Sequence, residues 1–323
     1  MDFRATAKRI LSTSIPGDLF GTDVETEFKR LSLIVHPDRH KGEDQRLAHD
    51  AMAKLLELRR IAEGKIPAWK PITITIGKKT YVAETPIVSG DVADIYRSGT
   101  VILKVVQNAA DNDLLVNESE VLRAFGKMDE VLSKYLPRFR DSFALRGKVN
   151  RRVNVLDFAD GFITLADVKK AYPSGLDFRD VVWMFNRMLE GLSFIHEQKV
   201  VHGGLVPTNV MIHPINHGGK LIDWCYAVRS GHLRTRIEPF KDMYPPEVVK
   251  KERATPGLDI FMAAKCALWL VDGKQPSSVI RFWESCLLTN PARRPQDAGD
   301  LREEFDRLLL KVVGKPSYRK LEI

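Results

Sequence analysis

The chain has 323 residues, 44% hydrophobic and 28% charged, with a net charge of +8 and a pI near 9.3. This composition excludes a disordered or collagen-like chain, and the length predicts two domains, each able to bury a core. The longest apolar stretch, Phe261 to Val271, is interrupted by Lys265 and is too short to span a bilayer, so no membrane association is expected. The opening Met1-Asp2-Phe3-Arg4 lacks the apolar core of a signal peptide. Cys225, Cys266 and Cys286 are odd in number and without paired spacing, which predicts reduced, buried thiols in a cytoplasmic protein. The densest basic run, Arg146 to Arg152, lies between two strand-like segments and reads as a hairpin tip rather than a nucleic-acid groove.

In residues 23–35, Phe28, Leu31 and Val35 share one helical stripe behind an N-cap at Asp23, and Pro37 predicts that the helix ends at His36. A second helix is predicted from about Arg46 to Glu63, with Met52, Leu55, Leu56, Leu58 and Ile61 as its apolar positions. The short connection between them carries His36-Pro37-Asp38. A turn that uses Pro and Asp only for their backbone preferences would read the same way. Placed between two such helices, however, the triplet resembles the loop of a J-domain, and the resemblance covers residues 1–66. It implies an all-helical domain that engages a DnaK-type chaperone through His36, Pro37 and Asp38, with Lys29 and Arg30 as electrostatic contacts. Glu25 and Glu27 leave that helix a smaller basic face than many such domains present, which implies modest affinity.

Pro67 and Pro71 predict a stiffened linker over 67–71. Ile72, Ile74 and Ile76, then Gly77-Lys78, then Thr80-Tyr81-Val82 predict a β-hairpin. Strand character continues through Val101 to Val106, after which the periodicity turns helical, with a long amphipathic helix from Asp180 to His196.

From residue 72 to 312 the ordered motifs resemble the protein-kinase fold, which makes the expected class α+β: a small helical domain, then a β-rich lobe and a helical lobe, with a tail over 313–323. Val101-Ile102-Leu103-Lys104 resembles the strand of the phosphate-binding lysine, and Asn117 to Leu122 the helix whose Glu118 pairs with it. Gly90 is the one glycine kept in the segment resembling the glycine-rich loop. Asp157 and Ala159 fall where the interlobe hinge would meet adenine. Val201-His202-Gly203-Gly204-Leu205-Val206-Pro207-Thr208-Asn209 resembles the catalytic loop, and Leu221-Ile222-Asp223-Trp224-Cys225 the metal-binding segment. Tyr244-Pro245-Pro246-Glu247 and the arginine-containing Asn290 to Pro295 resemble two further segments that pair with each other, and Asp259 the acid that anchors the catalytic loop.

The resemblance implies ATP and Mg2+ as ligands, with Gly90, Lys104, Glu118, Asp157 and Ala159 around the nucleotide and Asn209 and Asp223 on the metal. At His202-Gly203-Gly204 the catalytic-loop arginine and aspartate are missing, and Val206 replaces the lysine. Losing a general base costs about 10²- to 10⁴-fold in rate, so binding is expected to survive better than transfer. Without an arginine at 203, Ser230 and Thr235 are poor sites for a phosphorylation switch. The expected function is therefore a J-domain co-chaperone whose pseudokinase domain binds nucleotide and acts as a client-binding or regulatory module. The alternative is an atypical protein kinase or nucleotidyl transferase with a rearranged catalytic loop, in which Asp157, Asp160 or the substrate supplies the base. A scaffold that binds no nucleotide is a third reading.

Overall fold

The computed structural model describes residues 2–13, 16–21, 23–63, 71–127, 134–147, 149–314 and 321–322. The chain divides into two units, Met1–Pro86 and Ile87–Ile323. Of the expected linker at 67–71, all but Pro71 lies outside the described residues.

Among the described residues the first unit holds four α-helices, α1 (Phe3–Ser12), α2 (Pro16–Phe20), α3 (Val24–Val35) and α4 (Glu43–Ala62). Asp2 and Asp23 start α1 and α3 by accepting from the free backbone N–H groups of the first turn, Arg4 at 3.2 Å and Thr26 at 3.1 Å. The core joins Ala7 and Ile10 of α1, Leu19 and Phe20 of α2, Leu31 and Val35 of α3, and Ala51, Leu55 and Leu58 of α4. On α4 the inward face therefore runs through Ala48, Ala51, Leu55 and Leu58, and Leu56, expected in the apolar face, is exposed. Alanine at the helix contact allows close approach, which a search for large apolar residues overlooks. Helices α1 and α2 were not anticipated individually.

The hairpin β1 (Ile72–Ile76) and β2 (Lys79–Ala83) forms in the expected register, Ile76 opposite Lys79, and Gly77 takes the positive φ of +60° that its tight turn needs. It groups with the first unit rather than with the domain that follows, where the sequence pattern had put it.

The second unit, entered part-way along β3 (Thr85–Ser89), opens on a five-stranded antiparallel sheet in the order β3, β4 (Ala93–Ser98), β5 (Val101–Val106), β7 (Arg151–Asp157), β6 (Phe139–Leu145). Arg146 and Gly147 lie at the β6–β7 turn, where Leu145 pairs with Arg151, as a hairpin tip requires. Helix α5 (Asn112–Phe125) buries Leu115, Val121, Leu122 and Phe125 and packs on β6 and β7. Helical structure follows: α6 (Leu165–Ala171), α7 (Phe178–Glu197), α8 (Pro246–Val249), α9 (Pro256–Leu270), α10 (Ser277–Ser285) and α11 (Ala298–Val312), with β9 (Val210–Ile212) between β8 (Ile163–Thr164) and β10 (Gly219–Leu221). α9 contains most of the long apolar run and is buried nearly all round, which identifies that run as a core helix. No helix among the described residues is long and apolar enough to cross a membrane.

Candidate functional site

Strand pairing sets Lys104 of β5 between Ile95 of β4 and Asn154 of β7, inside the sheet rather than at an edge. Its buried ammonium donates to Glu118 Oε1 at 2.9 Å, Asp223 Oδ1 at 2.5 Å and Cys225 Sγ at 3.2 Å. Burial opposes the charge, but Asp223, then Cys225 and Glu118, together more than offset it and raise the lysine pKa well above its usual range. Lys104 in turn holds the Asp223 carboxyl below its usual value against the effect of burial. Glu118 is fully engaged: Oε1 also accepts from the Trp224 backbone at 3.2 Å, and Oε2 from buried Asn154 at 2.8 Å. Glu118, Asp223 and Cys225 thus cluster closely enough to hold a metal, but the lysine ammonium is already the cation among them.

Asp259 at the start of α9 accepts from the backbone of His202 at 2.7 Å and Gly203 at 2.9 Å and fixes the loop that they begin. Asn209 Nδ2 donates to Gly204 O at 3.0 Å and to Asp223 Oδ2 at 3.3 Å, which brings the two expected metal ligands side by side. Asp223 itself adopts a left-handed backbone, φ +63°, unusual outside glycine. His202 is buried, donates from Nε2 to Ile222 O at 3.1 Å and accepts from Gly204 N at Nδ1 at 3.2 Å. Burial lowers its pKa, ahead of the opposing charges of Asp259 and Asp223. Trp224 packs edge-on between His202 and Phe125 of α5 at centroid distances of 4.5 and 5.4 Å.

The residue after Cys225 went unnoticed in the sequence. Tyr226 lies against Gly204 so closely that a Cβ there would stand 2.9 Å from its Cδ2, and at Gly203, φ +71°, a Cβ would meet Tyr226 O at 2.6 Å. The ring therefore fills the space that a larger residue at 204 would need. Its hydroxyl donates to Asp91, in the tight β3–β4 turn closed by Gly90 N to Ala93 O at 2.9 Å. Asn117, one residue before Glu118, donates from its side chain to the carbonyls of Cys225 at 3.1 Å and Ala227 at 2.9 Å and ties this segment to α5.

At the expected hinge, Asp157 is held by Arg140 through contacts of 2.5 and 2.8 Å, and Arg97 stacks over Phe158 at 3.5 Å. Ala159 is partly buried, and its carbonyl accepts from Phe162 at 3.2 Å. Asp157, offered from sequence as a substitute base, is thus engaged as a structural ion pair. Arg294 donates bidentately to buried Glu247 at 2.6 and 2.9 Å, joining the two late segments.

A family model described as "Protein kinase domain" matches residues 89–297. The chain belongs to the protein kinase family. Curated relatives include the serine/threonine-protein kinases SMU1 of Mycosarcoma maydis, max-2 of Caenorhabditis elegans and mph1 of Schizosaccharomyces pombe, at 26%, 27% and 27% identity. These matches cover 40%, 38% and 38% of this chain but only 19%, 19% and 16% of the relatives, so the chain spans less than a fifth of their length. Outside the kinase domain, His36 caps the 3-10 turn Pro37–Arg39 by accepting from Asp38 N at 3.3 Å. Arg39 and His40 take up the last carbonyls of α3, Leu33 O at 3.0 Å and Ile34 O at 2.7 Å, leaving Asp38 with its side chain 88% exposed. Lys29 and Arg30, expected as electrostatic contacts, pair with Glu25 at 3.2 Å and Glu27 at 2.6 Å on their own helix.

Proposed function

We propose that the kinase domain binds a magnesium-complexed adenine nucleotide without transferring its phosphoryl group, and that the N-terminal helical unit recruits a DnaK-type chaperone. The observation that carries the first part is a contrast within one cleft. Lys104, Glu118, Asn209 and Asp223 are assembled at 2.5–3.3 Å, while Gly204, next to them, is packed under Tyr226. The lysine is placed to neutralise phosphate charge, with Glu118 holding it. Asp223 offers a carboxylate oxygen of the kind magnesium prefers, and Asn209, whose Nδ2 faces Asp223 here, would add its amide oxygen by turning that group over; a bound ion would screen the nucleotide's charge. Nothing at 203, 204 or 206 offers a base for the acceptor hydroxyl or a cation for the transferred group. Support for the second part is the ordered, outward-facing His36-Pro37-Asp38 loop between packed helices α3 and α4. A kinase domain that binds without transfer then acts as the client-binding or regulatory module of the pair.

Calorimetric titration with ATP, with and without magnesium, on the whole chain and on Asp223→Ala tests the reading, followed by incubation with ATP labelled on the γ-phosphate or the adenylate. Magnesium-dependent binding that Asp223→Ala abolishes, with no label on protein, is the expected result. Label transfer that disappears in Asp223→Ala would replace the reading with that of an active enzyme.

A further inference from the structure

The contact between Tyr226 and Asp91 crosses the cleft from the segment after Asp223 to the turn above it, 135 residues apart in sequence. The turn is braced from behind: Gln107 Nε2 donates to Ser89 Oγ, Gly90 O and Asp94 Oδ1 at 2.9, 2.9 and 3.0 Å, and Ser89 Oγ to Asp94 at 2.7 Å. The other end rests on the catalytic-loop backbone at Gly204, whose carbonyl is bonded to Asn209, itself bonded to Asp223. Beside this bridge every ammonium proton of Lys104 has a partner in Glu118, Asp223 and Cys225, and an ammonium has three to give. The phosphate end of the cleft thus holds three carboxylates, Asp91, Glu118 and Asp223, around one cation.

From this geometry we infer that Tyr226 and Asp91 form a gate that discriminates ligands by phosphate charge. With the gate closed the pocket takes the nucleoside portion of a nucleotide, and the triphosphate enters only when the Tyr226–Asp91 bond opens and Asp223 leaves Lys104. This rests on the nucleotide reading above and deepens it. Burial, reinforced by Asp223 and offset in part by the Tyr226 bond and by Lys104, raises the Asp91 pKa, as expected for a carboxylate held where negative charge is already crowded. Tyr226 is likewise pushed up, by burial first and then by Asp223, so its hydroxyl stays the donor.

The test compares adenosine, AMP and ATP with magnesium on the whole chain, on Tyr226→Phe, which removes the bond and keeps the charge, and on Asp91→Asn, which removes the charge and keeps an acceptor. A hydrogen bond to a charged group is worth enough to shift an equilibrium by about ten- to a hundredfold. Tyr226→Phe is therefore expected to bind ATP with magnesium about tenfold or more tightly than the unaltered chain does, with adenosine affinity unchanged. Asp91→Asn is expected to move in the same direction and to lessen the preference for short phosphate chains. Equal ATP affinity in all three proteins, with adenosine bound, overturns the gate and leaves the nucleotide pocket standing. Failure of every probe on every protein overturns the pocket and the gate together.

Discussion

Restoring an acid at the catalytic loop is the sharpest test of how Tyr226 is placed. In Gly204→Asp the new Cβ would stand 2.9 Å from Tyr226 Cδ2 and 3.3 Å from its Cβ and Cγ, distances at which the ring or the loop must shift. The loop has little room to give, because Asp259 holds its backbone at two points and His202 and Asn209 hold Gly204 itself. Overpacking of this kind costs about 1–3 kcal/mol. For a folding unit of this size each kcal/mol lowers Tm by roughly 2–4 °C, which gives a drop of about 2–12 °C. Gly204→Ala isolates the steric part from the added carboxylate. Thermal unfolding followed by tryptophan fluorescence suits the question, since Trp183, Trp224 and Trp283 are all buried in this unit. A double-mutant cycle with Tyr226→Ala is expected to cut the cost at 204 to less than about 1 kcal/mol, a coupling in the range seen for touching residues. Gly204→Asp alone is expected to transfer no phosphoryl group. An unchanged Tm together with measurable transfer in that variant would refute the placement of Tyr226.

Arg294→Ala leaves Glu247 buried without its bidentate partner and is expected to cost about 3–5 kcal/mol in urea denaturation; a loss below about 1 kcal/mol would show that the pair is not buried as described. Since burial depresses the His202 pKa, the neutral ring stabilises the fold fully above the ordinary imidazole value of about 6.5, and this is lost as the pH falls from there toward the depressed value. Tm is accordingly expected to fall between pH 7.5 and 5.5, and less steeply in His202→Gln; equal slopes would contradict the assignment. Asp38→Asn, at an 88% exposed side chain, is expected to change stability by less than about 0.5 kcal/mol while abolishing stimulation of a DnaK-type ATPase. Undiminished stimulation would remove the chaperone-recruiting role.

Where neighbours in sequence decide the structure, the chain was readable. Asp23 and Pro37 bound one helix, Gly77 turns one hairpin, and the apolar run of β5 carries Lys104 into the sheet. The order of short motifs was enough to bring Lys104 to Glu118 and Glu247 to Arg294, because each motif implies its own local geometry. The two leading helices and the inward face of α4 were less legible, because their contacts depend on alanines and a short turn rather than on large apolar residues. Lys29 and Arg30 were visible as cations, but their side chains take partners one helical turn away, which composition alone does not settle.

By itself the sequence determined the kinase-type fold of the larger unit and the absence of the usual cation at 203 and acid at 204. Only the tertiary structure decided what stands in their place. Removing a side chain at 204 creates volume, and a packed interior fills it with whatever the fold brings near. Here that is Tyr226, whose hydroxyl, once buried, needs an acceptor and finds Asp91 across the cleft. No local pattern links residues 135 positions apart; the sheet and the catalytic loop, each folded by its own contacts, set the distance between them.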